Sequence, residues 1–245
     1  MKILAVDSSS KTAAAALLED GALLAESSVR TETHSAVLLP MIEDMLKAAK
    51  TSVREIGLMA AAAGPGSFTG VRIGVSLVKG LAFADHIPCV GVSTLEGMAY
   101  NFAGIGCLVV PVIDARRGTV FTAVFRIGAD GSVKRLTDDA QMPLSELMEL
   151  IAGCRSGDEP VYFTGDACEA ALGCENAPAG CAVTPARLRI PSAFGVGRRG
   201  WELFTATDAR KEEFTDAALV PAYLKKSQAE RDRDERLAAE KGTRD

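Results

Sequence analysis

The chain states one folding scheme twice. An apolar run from Lys2 to Val6 closes on Asp7, a polar turn follows, the run Thr12 to Leu18 returns, and Glu19-Asp20-Gly21 turns it into a third run over 22–28. The second half begins alike: Leu108 to Ile113 closes on Asp114, Arg116-Arg117-Gly118 makes a tight connection, the alternating run Thr119 to Arg126 follows, and Asp130-Gly131 turns it into 132–136. Asp-Gly between apolar runs is a hairpin signal. Helical spacing at 35–50, 70–84 and 93–103 alternates with strand-like runs at 58–63 and 88–92. After the second meander come a helix over 143–152, a strand at 160–164, a helix from 166, a strand at 181–184 and a helix over 192–206. The pattern predicts two α/β lobes related by duplication. The boundary falls near residue 106, giving a lobe 1–106 and a smaller lobe 107–225, part of which packs back on the first. Residues 226–245 are almost all charged or Ala and read as a solvated helix or a disordered tail.

Between the strand 58–63 and the helix 70–84 lies Gly64-Pro65-Gly66-Ser67-Phe68-Thr69-Gly70-Val71-Arg72-Ile73-Gly74. A glycine-rich turn between strand and helix can aim backbone N–H groups at an anion. Glycines at 66, 70 and 74 also leave one flank bare, where another backbone can come close. The block is therefore built either to hold a phosphate or to dock a helix.

Bulk numbers exclude several classes. At 245 residues with 48% apolar and 24% charged content, the chain can build a substantial core. A net charge of −5 argues against gripping nucleic acid alone, which needs a basic face. No secretory signal or membrane-length apolar run is legible, and Val71 to Ala84 is short and carries Arg72 and Lys79. The expectation is a cytoplasmic protein without a membrane partner. The cysteines at 89, 107, 154, 168, 174 and 181 form no C-x-x-C pair and read as reduced structural thiols.

Two lobes that each open with strand, Asp and turn describe the actin-like, ribonuclease H-like (ASKHA) architecture. In it the acidic strand end helps hold Mg²⁺ and the turn amides hold phosphates. Asp7-Ser8-Ser9-Ser10 would form the first such loop and Asp114-Ala115-Arg116-Arg117-Gly118 the second. Asp also simply terminates strands, and spacing alone leaves both readings open. A glycine-rich adenosine turn has only weak candidates, Thr164-Gly165-Asp166 and Gly195-Val196-Gly197.

Ile3-Leu4-Ala5-Val6-Asp7-Ser8-Ser9, His34-Ser35 with Leu38-Leu39-Pro40, the whole of 64–74, Asp114-Ala115-Arg116 and Pro221-Ala222-Tyr223-Leu224 resemble the bacterial TsaB (YeaZ) family, in order from residue 1 to about 225. Ala36 stands where Glu is common there, and Lys225 where Arg is common. The resemblance implies a subunit of the machinery that makes threonylcarbamoyladenosine beside the anticodon of tRNAs reading codons that begin with A. It implies pairing with the TsaD transferase, a relative of similar fold, and a complex joined by the TsaE ATPase. The free chain would form a homodimer and would meet tRNA only through the complex.

The transferase holds its metal partly through a His-x-Glu-Gly-His helix. The matching stretch here, after Val90-Gly91-Val92-Ser93, reads Thr94-Leu95-Glu96-Gly97-Met98. A hydroxyl and a thioether do not replace two imidazoles for Fe²⁺ or Zn²⁺. His34 and His86 are the only histidines and form no such pair. Glu96 then reads as a helix-surface or capping carboxylate, and His34 as the neighbour of a helix cap. The reading is a non-catalytic relative with no metal, no catalytic residue and little or no affinity for Mg-ATP. Its phosphate loop, Asp7, Ser8, Ser9 and Asp114, is vestigial. The alternative is activity of its own, as a glycoprotease-like metallopeptidase or an actin-like ATPase, although no H-E-x-x-H is present.

A silent subunit works through its surface. Helices 35–50 and 70–84 carry too many apolar residues for one stripe, so both are expected to lend a face to a partner. The expected face is Leu38, Met41, Ile42, Met45, Gly70, Ile73, Gly74, Leu77, Val78 and Leu81, with Arg72 and Lys79 as a polar rim. On this reading a bulky residue at Gly74 abolishes association and leaves the monomer folded.

Overall fold

The computed structural model describes residues 1–206 and 213–224; the charged tail 226–245 and Lys225 lie outside the described residues. The first lobe runs β1 (Lys2–Asp7), β2 (Thr12–Glu19), β3 (Ala22–Arg30), α1 (His34–Ala48), β4 (Ile56–Gly64), α2 (Phe68–Phe83), β5 (Cys89–Ser93) and α3 (Thr94–Tyr100). Its sheet has the order β3-β2-β1-β4-β5. The first three strands form an antiparallel meander, and β4 and β5 lie parallel to β1.

The second lobe runs β6 (Cys107–Arg116), β7 (Thr119–Thr122), β8 (Phe125–Ile127), β9 (Val133–Arg135), β10 (Ala140–Pro143), α4 (Leu144–Cys154), β11 (Val161–Thr164), α5 (Cys168–Leu172), β12 (Cys181–Val183) and α6 (Ala193–Ala206). Here β6 pairs with β7 along its end and with β8 along its start. β10 continues the sheet beyond β7, β9 continues it beyond β8, and β11 and β12 are parallel to β6. The duplicated actin-like fold is therefore present, with the two meander positions of the second lobe each split in two.

That split corrects two expectations. The continuous run 119–126 breaks at Ala123 and Val124, both wholly buried, where the chain passes from one half of β6 to the other. Before α4 lies an unforeseen strand, β10, whose Ala-Gln-Met-Pro sequence has no alternation and is held by its ladder to β7.

Alternation in the first sheet sorts its residues onto two covered faces. Leu4, Val6, Ala13, Ala15 and Leu17 meet α1 and α2, whereas Ile3, Ala5, Ala14, Ala16 and Leu18 meet α6. Strands this rich in alanine let a helix approach closely, and α6 answers with glycine. A Cβ on Gly200 would lie 3.0 Å from the Ala60 Cβ, and one on Gly195 only 1.9 Å from the Gly97 carbonyl of α3. The pair Gly195 and Gly197 thus belongs to helix packing and not to an adenosine turn. α3 and the turn after it also cover the second sheet, placing Leu95, Ala99 and Phe102 against Val109 and Phe125. The helices α3 and α6 therefore join the lobes. Among the described residues, no helix is long and apolar enough to cross a membrane.

Candidate functional site

Asp7 ends β1 inside the protein. Its Oδ1 accepts from the Ser9 amide at 2.8 Å and the Ser9 hydroxyl at 2.6 Å. Ser8 donates its hydroxyl to the Gly70 carbonyl at 2.8 Å, and the Ser67 amide donates to the Ser9 carbonyl at 2.7 Å. All three residues of the turn are buried. Burial pushes the Asp7 carboxyl above the usual carboxylate range, against the opposing pull of the two Ser9 bonds and the charge of His34. His34 itself opens α1, and its Nε2 is buried without a hydrogen-bond partner among the described residues.

Helix α2 reaches this turn because two of its residues have no side chain. A Cβ on Gly70 would lie 2.0 Å from the Ser8 carbonyl oxygen, and one on Gly74 2.5 Å from the Ser8 Oγ. Of the two jobs open to the glycine block, docking a helix is the one present, and what it docks on is the chain's own β1–β2 turn. The expectation that Gly70 and Gly74 face a partner is corrected. Both serine hydroxyls of the turn donate to protein oxygens. Asp114 differs from its counterpart: it is exposed, β6 runs past it to Arg116, and its Oδ1 accepts from the Arg116 amide at 2.7 Å. Its amide donates to Asp166 Oδ1 at 2.8 Å, which gives Thr164-Gly165-Asp166 a structural task.

Helix α3 starts after Ser93, whose hydroxyl accepts from the Glu96 amide. Thr94 and Met98 are both wholly enclosed, and the Thr94 hydroxyl has no partner among the described residues. Glu96 is not on the surface. Its carboxylate is buried between two arginines from distant elements, with Oε2 3.2 Å from Arg135 Nη2 and Oε1 3.0 Å from Arg199 Nε. The second approach is a charge contact without hydrogen-bond alignment. Asp139 also holds Arg135, and Ser93 donates to Asp139 at 2.6 Å. Arg199 lies 3.8 Å from Glu202, which accepts from the Tyr100 hydroxyl. Burial and that carboxylate drive the Tyr100 pKa up. Carboxylate and arginines thus clamp α3, β9 and α6 together. The spacing in the sequence could not reveal this, because the partners stand far apart in the chain. No group of three or more His, Cys, Asp or Glu among the described residues is placed to hold a metal ion.

The helix face needs redrawing as well. Leu38, Met41, Ile42 and Met45 sit with Leu46 in the core beneath α1, and Val78 is wholly buried under α2. Ile73, Leu77 and Leu81 are only partly covered. Ile73 and Leu77 line a groove of about 510 Å³ between α1 and α2, together with Ser35, Leu38, Leu39, Phe68, Thr69, Arg72 and Ser76. Leu39 is 37% and Phe83 68% exposed. On this open side the glycine is Gly80, where an added Cβ would meet nothing within 4 Å. The expected face thus mixes two flanks: Leu38, Met41, Ile42, Met45, Gly70, Gly74 and Val78 are buried within the chain, whereas Ile73, Leu77 and Leu81 lie on the open side.

Arg72 and Lys79 do not form a free rim. Residues 213–224 return across α2 and the ends of β4 and β5, and both cations hold them. Lys79 Nζ donates to the Leu219 carbonyl at 3.3 Å, and Arg72 Nε donates to the Tyr223 hydroxyl at 2.6 Å. The Tyr223 ring stacks on Phe68 with centroids 4.8 Å apart. The Ala222 amide donates to the Ala63 carbonyl at 2.7 Å.

Residues 28–161, more than half of the chain, match the family model described as TsaD, tRNA N6-adenosine threonylcarbamoyltransferase. The tRNA threonylcarbamoyladenosine biosynthesis protein TsaB of Bacillus subtilis is 35% identical over 67% of this chain and 71% of its own length. The solved structure of YeaZ from Pseudomonas aeruginosa superposes with a TM-score of 0.75 at 27% identity, covering 91% of this chain and 99% of that one. At the level of the fold alone, the activator of 2-hydroxyisocaproyl-CoA dehydratase from Clostridium difficile matches with a TM-score of 0.51 at 10% identity. With its glycine-docked turn, its two linked lobes and these relatives, the chain belongs to the TsaB (YeaZ) family of tRNA threonylcarbamoyladenosine biosynthesis proteins.

Proposed function

We propose that this chain is the non-catalytic partner of a TsaD-type threonylcarbamoyltransferase, which it binds through the α1/α2 groove and activates in forming threonylcarbamoyladenosine on tRNA. The observation that carries the reading is the open apolar side of α2. Ile73, Leu77 and Phe83 border solvent there, and Gly80 costs a helix about 1 kcal/mol relative to Ala at a place where an added Cβ would meet nothing within 4 Å. Such a face suits the close approach of another helix. Two observations favour a supporting role over chemistry. Thr94 and Met98, at the places of the transferase's histidines, are enclosed in the protein, and the hydroxyls of the Asp7 turn donate inward. On this reading the isolated chain binds Mg-ATP weakly or not at all and pairs with a second copy through the same face. A TsaE-type ATPase joins the complex, and tRNA is met through the complex.

The test is reconstitution of tRNA modification from purified components, with this chain present, omitted, or carrying Leu77→Asp. Omission and L77D should both abolish modification, and L77D should elute apart from the transferase in size-exclusion chromatography. Modification that proceeds equally well without the chain would refute the proposal. So would threonylcarbamoyl transfer by the chain alone.

A further inference from the structure

We infer that Arg72 is a pre-set anchor for a carboxylate on the protein that occupies the α1/α2 groove; this rests on the reading of that groove as the partner-binding face. Arg72 is the one charged residue among those lining the groove, whose other members are apolar side chains or small hydroxyls. Its guanidinium is already immobilised. The central carbon lies 3.9 Å above the Phe68 ring and 5.5 Å from that of Tyr223, while Nε is bonded to the Tyr223 hydroxyl. Nε faces the returning segment 213–224. The two Nη groups make no hydrogen bond or ion pair among the described residues, although the side chain is exposed.

An exposed arginine ordinarily loses side-chain freedom when it binds. Here the stack and the tyrosine bond have removed that freedom beforehand, leaving a planar pair of donors fixed at the rim of an apolar trough. A planar donor pair recognises a carboxylate through two parallel bonds. Once an apolar helix covers the trough, the pair leaves water, where it contributes most to affinity and register. RNA phosphate would also accept these donors. The apolar lining of Ile73, Leu77 and Leu39 favours a protein occupant, since a sugar–phosphate backbone would leave those side chains in water. The segment 213–224 thereby takes part in recognition at a distance, because Tyr223 orients the arginine without lining the groove.

Titration calorimetry of the full chain with the cognate transferase tests this, using Arg72→Gln, Arg72→Lys, Tyr223→Phe and Leu77→Asp, each with a thermal melt. R72Q should weaken association at least about 30-fold and reduce its salt dependence. R72K should fall between, because an ammonium lacks the fork. Y223F, which loses only the positioning bond, should weaken it about 3-fold. Charge reversal at one acidic residue of the transferase should restore binding to Arg72→Glu. If R72Q and R72K bind within 2-fold of the natural chain while L77D does not bind, the anchor is wrong and the groove reading stands. If L77D binds normally as well, the groove reading itself fails. Unchanged transferase binding with loss of tRNA binding by the assembled complex would overturn the anchor in favour of an RNA contact. Should R72Q fail to fold, R72K and Y223F decide.

Discussion

Replacing Glu96 by Gln keeps the side-chain volume and removes the charge that two arginines share. The carboxylate side chain is 12% exposed, with Arg135 and Arg199 at 3.2 and 3.0 Å. Breaking a buried ion pair from one side costs about 3–5 kcal/mol, chiefly because the remaining charge is left buried and unpaired. Neither arginine is stranded completely: Arg135 keeps Asp139, and Arg199 keeps Glu202 at a longer 3.8 Å. The loss should therefore sit near the lower bound, about 3 kcal/mol. For a chain of this size that lowers the melting temperature by about 6–12 °C. Equilibrium urea unfolding supplies the free energy, and a cycle with Arg135→Gln isolates the pair, with an expected coupling above about 1 kcal/mol. A loss under about 1 kcal/mol without coupling to Arg135 would mean that the cluster behaves like solvated surface charges, and the account of how the lobes are joined would be wrong.

Gly70→Ala should destabilise the monomer by more than about 3 kcal/mol, because its Cβ meets a backbone oxygen that cannot retreat. Gly80→Ala should stabilise it by up to about 1 kcal/mol; paired thermal melts check both, and equal effects would refute the assignment of the two glycines. Asp7→Asn should raise stability at pH 7.5. The folded pKa of Asp7 lies above its unfolded value, so the ionised form carries a cost at neutral pH that vanishes as pH falls toward about 4. Melts from pH 7.5 to 4 should show the gap between variant and natural chain closing, and a gap that widens on acidification would contradict the assignment. Burial pushes the Cys89 and Cys107 thiols up to about 11, so a thiol-specific dye at pH 8 should leave both unlabelled in the native protein; rapid labelling before unfolding would refute their enclosure.

Much of this fold was readable in the residues themselves. Asp7 with Asp20-Gly21, and Asp114 with Asp130-Gly131, mark two meanders because turn chemistry is local. What escaped was what depends on tertiary neighbours. β10 has no pattern of its own and exists through its ladder to β7. Glu96 looks like any polar residue near a helix start, and Arg135 and Arg199, which enclose it, are fixed by other elements. The glycines of α2 show the same limit within a single helix. A bare flank is visible in the spacing, but which flank turns toward Ser8 and which toward solvent is set by how α2 lies on the sheet. Hence Gly74 packs on Ser8 while Gly80 faces open space. The family pattern at 221–224 was legible as a motif, whereas its task of holding Arg72 was not.

The return of α6 to the first sheet fixes an order of events during synthesis. Ile3, Ala5, Ala14, Ala16 and Leu18 leave the ribosome long before the helix that shields them, which spans 193–206. A lobe that nominally ends near residue 106 stays with one greasy side uncovered until most of the polypeptide has been translated, and nascent chains in that condition are natural clients for chaperones.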